Sequence, residues 1–258
     1  MATAVVLIGA LLAALFLLPR VPLTLLFSAI AGLAAHEWGR LCGLHGAASA
    51  AYCTLVGAGV LLPALLGAAY PVIGIGAVFW LLVAPLWLWR GIERAQRRIL
   101  LAAGLAVLVP AGLAMAVMTP VQLLLALILI WVADTAAYFT GRRFGRRKLA
   151  PTVSPGKSWE GAYGAMAAVL VYAVLCQFFN PQLAMISGGQ WLPYLLAAAA
   201  LCALSIVGDL FESALKRQAG AKDSGTLLPG HGGVLDRIDS ATASLPFAAG
   251  LWAVLGGK

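Results

Sequence analysis

Ala203 to Arg217 reads ALSIVGDLFESALKR, and Ser205, Asp209, Glu212 and Lys216 are spaced four, three and four apart. That spacing puts them on one helix face. A local Glu212–Lys216 ion pair is the plain reading of the last two. Asp209 has no basic partner one turn away and asks for another explanation. The stretch KDSGTLLPGHGGVLDRID, Lys222 to Asp239, follows at once. Lys222, Asp223 and His231 lie in it among Gly230, Gly232 and Gly233, residues that permit backbone angles others resist. Such a loop can turn N–H groups toward a phosphate. Asp236 and Asp239 lie three apart at the start of the next helix and can face the same way. Two acid clusters with lysines and arginines between them fit a magnesium and phosphate site, because magnesium takes one or two carboxylates plus phosphate oxygens.

A third polar stretch, ADTAAYFTGRRFGRRKLAPTVSPGKSWEG, runs from Ala133 to Gly161. Asp134 and Tyr138 share a helix face, and a basic run from Arg142 to Lys148 follows. Lys157 and Glu160 come at the mouth of another helix, where the dipole favours anions. Three tempting motifs fail. Gly156-Lys157-Ser158 lacks the first glycine of a P-loop, since Pro151 stands there; HEWGR at 36–40 is not HExxH; GHGG at 230–233 is not GxGxxG. Nothing converges on His36 or His45.

These residues sit in a chain of 258 residues that is 62% hydrophobic and 10% charged, with a net charge of +8. Soluble domains carry about 25% charged residues, and the mean hydropathy here is +0.97. A water-soluble globule could not hide this much apolar surface. Apolar runs long enough to cross a bilayer are expected at roughly 2–18, 21–39, 47–67, 71–89, 98–118, 120–139, 160–179, 191–212 and 240–257. Residues 1–18 lack a basic amino-terminal region and read as a first membrane helix rather than a signal peptide. The expected fold is therefore all-α: a polytopic membrane protein of about nine helices, with 1–118 as an amino-terminal group of about five and 119–258 as the catalytic region. The four cysteines form no CxxC pair and read as small buried hydrophobes.

Charge distribution orients the bundle. All 17 Lys and Arg residues except Arg20 and Lys258 fall in the even-numbered loops. The positive-inside rule puts those loops in the cytoplasm, with both termini outward. The basic charge is thus explained by orientation, and no nucleic acid is expected. The nine acids are not governed by that rule, yet all lie in cytoplasmic loops or near the cytoplasmic ends of helices. A polar cavity on the cytoplasmic side is expected, and Asp134 and Asp209 need a partner, a cation or water there. A transporter would instead gather its ionisable residues near the bilayer midplane, which is nearly bare here.

SALKRQAGAKDSGTLLPGHGGVLDRID, Ser213 to Asp239, closely resembles the signature of the phosphatidate cytidylyltransferases, also called CDP-diacylglycerol synthases. GDLFES at 208–213, ADTAAYFTGRRFG at 133–145 and SPGKSWEG at 154–161 resemble the family's other blocks. In the last, Gly156 and Ser158 replace the family's usual lysine and threonine. The resemblance implies transfer of CMP from CTP to phosphatidate, giving CDP-diacylglycerol and pyrophosphate in phospholipid synthesis. It implies Mg²⁺, alone or with a second cation, held by Asp209 and Asp236, with Asp134 and Glu212 as further candidates. Arg142, Lys157, Ser213, Lys216, Arg217, Lys222 and Arg237 would meet substrate phosphates. His231, Gly232 and Gly233 would shape the nucleotide pocket, while Asp223 and Asp239 either orient basic side chains or extend the metal shell. The resemblance also implies a homodimer. A bacterial inner membrane fits the compact length.

Overall fold

A computed structural model describes residues 2–93, 96–179, 191–227 and 232–255. Its order is α1 (Ala2–Leu17), α2 (Arg20–Leu41), α3 (Gly46–Leu65), α4 (Ala69–Val78), a π-helical turn (Phe79–Val83), α5 (Ala84–Arg90), α6 (Arg97–Val117) and α7 (Pro120–Phe144). Then come the hairpin β1 (Lys148–Ala150) and β2 (Ser154–Ser158), α8 (Trp159–Phe179), α9 (Trp191–Gln218) and α10 (Leu235–Leu255). The chain is an all-α integral membrane protein. Among the described residues seven helices are long and apolar enough to cross a membrane: α2, α3, the continuous Ala69–Arg90 rod, α6, α7, α8 and α9. The runs expected at 2–18 and 240–257 are helical as α1 and α10 but fall outside that set, α1 because its apolar stretch is short.

Helix boundaries follow backbone chemistry. Pro120 opens α7, where a missing N–H costs nothing. Thr119 and Gln122 cap that end reciprocally, the Gln122 amide donating to Thr119 Oγ1 and the Thr119 amide to Gln122 Oε1. The small antiparallel sheet pairs Lys148 with Ser158 and Ala150 with Ser154. It was not foreseen, because the polar loop has no alternating pattern long enough to announce a strand.

The α6 helix is the buried centre, packed by α2, α3, α4 and α10, while α7 pairs with α8 and α9 with α10. In lipid, close packing rather than exclusion of water holds helices together, so small residues mark the crossings. A Cβ on Gly76 would collide with Pro110, and one on Gly208 of α9 would come within 2.7 Å of the Asp239 carbonyl on α10.

One cluster sets the rotation of α9. Phe211 is fully buried. It stacks on Trp38 of α2 at 6.3 Å, and Phe79, Trp80 and Trp87 meet it edge-on at 5.6, 5.5 and 5.7 Å. The π turn lies where Phe79 and Trp80 both reach the same ring. Asp209, two residues earlier, points round the helix from Phe211. Phe211→Ala is expected to cost about 3 kcal/mol, the low end for such a truncation because lipid rather than water competes for the ring. A thermal unfolding series in detergent checks this, with a lowered Tm expected.

Candidate active site

A cavity of about 520 Å³ opens between α7, the β2–α8 junction, α9 and α10. Asp134, Tyr138, Lys157, Asp209, Asp236 and Asp239, with Ser154 and Ser158, supply its polar lining. Four acids share it with one lysine. Lys157 stands on β2 and reaches Asp209 Oδ2 at 2.6 Å; both side chains stay partly exposed, at 24% and 31%. Ser213 Oγ donates to the other oxygen of Asp209 at 3.3 Å. Asp134, Asp209 and Asp239 line the same cavity. Asp239 Oδ1 takes the Ser240 amide at 2.7 Å.

The hairpin that presents Lys157 is fastened at both ends. Ser158 Oγ accepts the Gly161 amide at 3.2 Å and caps α8. Glu160 Oε2 accepts the Arg146 and Arg147 amides at 3.1 and 3.2 Å. Arg217, expected at a phosphate, donates through Nε to the Val153 carbonyl at 3.3 Å and through Nη1 to the Ala221 carbonyl at 3.1 Å. Its guanidinium thus ties the hairpin turn to the loop after α9.

Deeper in, Lys216 lies between two carboxylates, 2.5 Å from Glu212 Oε2 and 2.7 Å from Asp236 Oδ1. The local Glu212–Lys216 pair is therefore real, and this ammonium is engaged by acids instead of standing open to a phosphate. Glu212 is 2% exposed and is not among the residues lining the cavity. A buried carboxylate already neutralised by its own lysine is poorly placed to hold a cation. Asp236 lines the cavity with both oxygens engaged: Oδ2 accepts the Ser224 amide at 3.0 Å and the Gly233 amide at 2.7 Å, and lies 2.9 Å from the Ser224 hydroxyl, whose one proton it shares with Glu37.

The other expected residues scatter. Arg142 is exposed and donates to the Tyr138 hydroxyl at 3.0 Å, beside the cavity. Arg237 is exposed on the first turn of α10; Lys222 and Asp223 are exposed in the preceding loop and are not among the lining residues. His231 lies outside the described residues. Gly232 has φ +79°, a conformation that favours glycine. Gly233 gives its amide to Asp236, and a Cβ there would collide with Ser224 and Glu37.

In the sequence Glu37 stands as one of the nine acids near helix ends, within HEWGRL, and nothing in its spacing assigns it a role. It is fully buried on α2 and accepts the Ser224 hydroxyl at 2.8 Å and the Val234 and Leu235 amides at 3.0 and 2.8 Å. The signal available was HEWGRL itself, a carboxylate beside a tryptophan in an apolar helix.

Chemically, the cavity can receive a polyanion. Its acids suit a hard divalent cation, and its lysine can exchange a carboxylate for a phosphate. The profile of the cytidylyltransferase family matches residues 1–255. The chain is similar to a phosphatidate cytidylyltransferase of Pseudomonas aeruginosa, 44% identical over 97% of this chain and 95% of that protein. It is 51% identical to one from Haemophilus influenzae over 48% of this chain and 43% of that one. For one from Thermotoga maritima the identity is 42%, over 52% and 50%.

Proposed function

This chain belongs to the cytidylyltransferase family and is a nucleotidyltransferase enzyme, and on that footing we propose that it transfers CMP from CTP to phosphatidate, releasing pyrophosphate. The observation that carries this is one cavity with four aspartates and Lys157, at the charged end of an apolar bundle. A water-soluble triphosphate and a lipid headgroup can meet only at such a boundary. A transporter would need its charges nearer the middle of the bilayer.

The reaction is a displacement at phosphorus. A phosphate oxygen of phosphatidate attacks the α-phosphorus of CTP, and the bond to the β,γ-pyrophosphate breaks. Phosphatidate is already anionic at neutral pH, so little base catalysis is needed. The main barrier is bringing anions together. Lys157 gives up its contact with Asp209 and takes a phosphate oxygen. Arg142 and Arg237, both exposed, meet the outer phosphates as they approach. Ser213 keeps Asp209 oriented from one turn away.

The acids fit Mg²⁺ in donor type. Among the described residues no group of three or more acidic, histidine or cysteine side chains is gathered to hold an ion. That agrees with a metal that takes one or two carboxylates and completes its shell with water and phosphate. Asp209 is the first holder we favour, because its Oδ2 is held only by the partly exposed Lys157, with Asp236 or Asp239 of the same cavity as the second carboxylate. When bound, Mg²⁺ would offset triphosphate charge and stabilise charge on the transferring phosphoryl group.

The basic loops favour a cytoplasmic cavity in a bacterial inner membrane, with both termini outward, and a homodimer as the working unit. The product would be the activated lipid of phospholipid synthesis. Detergent-purified protein given labelled CTP, phosphatidate and Mg²⁺ is expected to form CDP-diacylglycerol and pyrophosphate one for one. Chelation by EDTA should stop turnover and added Mg²⁺ restore it. Absence of product under all these conditions overturns the assignment.

A further inference from the structure

Glu37 comes from the amino-terminal half, 187 residues before Ser224 and 198 before Leu235. A buried carboxylate is costly unless donors surround it. Here three do: one hydroxyl and two amides at the positive end of the α10 dipole. An apolar residue there would leave the Ser224 hydroxyl and the Val234 and Leu235 amides without this acceptor, so the carboxylate is matched to the loop and helix end it meets. The loop is shaped to admit it. A Cβ on Gly225 or Gly233 would collide with the Glu37 carboxylate. Ser224 is 2% exposed, and its hydroxyl sits 2.8 Å from Glu37 Oε2 and 2.9 Å from Asp236 Oδ2. Asp236 in turn holds Lys216. An unbroken line of polar contacts thus runs from α2 to the cavity wall.

We propose that Glu37 is a positioning residue for the reaction: it fixes the amino end of α10 and, through the Ser224 hydroxyl, the carboxylate of Asp236. This rests on the cytidylyltransferase reading for its effect on rate, but not for its effect on structure. The amino-terminal helices then complete the site as well as embedding it.

Three measurements test it. Glu37→Gln keeps the shape but turns an amide N–H₂ toward donors. It should lower kcat roughly 10- to 100-fold with KM for CTP close to wild type, because orientation rather than binding is lost. Ser224→Ala should lower kcat too. The double variant should be no slower than Glu37→Gln alone, because both changes break one line; independent effects would multiply. Hydrogen exchange over 224–227 and 232–239 needs no substrate and should quicken in Glu37→Gln while 97–117 stays unchanged. Wild-type kcat in a normally eluting Glu37→Gln, or multiplied losses in the double variant, overturns the proposal. If Glu37→Gln does not fold, Ser224→Ala decides alone: unchanged kcat sinks the relay, and a lowered kcat supports it. Quickened exchange in a protein whose wild type makes no CDP-diacylglycerol would keep the clamp and remove the reaction assignment. Unchanged exchange beside an active wild type removes only the clamp.

Discussion

Asp209→Asn is expected to abolish CDP-diacylglycerol formation in a protein that still inserts and elutes normally. The side chain is about one third exposed, and its bond to Lys157 is open to solvent. Such a pair adds little to stability, so folding should survive. Chemistry should not. Asparagine keeps the Ser213 contact but removes the charge that meets Lys157 and that would face a divalent ion. A loss of roughly a thousandfold or more is expected, comparable to deleting a principal electrostatic group from an active site. Steady-state assay of labelled product, with elution and Tm as controls, checks it. A near-normal rate would remove Asp209 from the machinery.

The second large effect comes from a methyl group. Gly233→Ala drives a Cβ into the Ser224 hydroxyl and the Glu37 carboxylate. A long side chain's end could normally swing aside, but Glu37 is fully buried and held by three donors. The loop must move instead, taking with it the Gly233 amide that Asp236 accepts. A displacement of about 1 Å at a reacting site can cost on the order of a hundredfold, and that loss of turnover is expected. Gly250→Ala is the matched control, since a Cβ there meets nothing within 4 Å. Equal rates for the two variants would mean that the Gly233 contacts do not govern the site.

Much of the architecture was legible because lipid demands long unbroken apolar helices, and such runs are visible by length alone. The acids of the cavity were legible for the converse reason. Carboxylates are expensive in an apolar chain, so Asp134, Asp209, Asp236 and Asp239 stand out wherever they fall. What was hidden depends on partners distant in sequence. Glu37 looks like one more charge at a helix end until Ser224, Val234 and Leu235 fold onto it. The engagement of Asp236 by Ser224 and Gly233 is equally invisible in spacing. The contacts of Arg217 with the Val153 and Ala221 carbonyls are hidden as well, because a carbonyl partner carries no side-chain signal. The π turn beside Phe211 leaves no trace in composition. The hairpin that delivers Lys157 is too short to show a strand period.

Nucleotide binding in the cavity is tested most directly at Ala162, a partly buried lining residue. A cysteine substituted at Ala162 would be labelled with a membrane-impermeant maleimide, and the wild type's own labelling subtracted. The account predicts labelling in inverted bacterial membrane vesicles but not in right-side-out ones, blocked by CTP with Mg²⁺ and not by CTP with EDTA. Labelling that CTP and Mg²⁺ leave untouched in an active enzyme would contradict it.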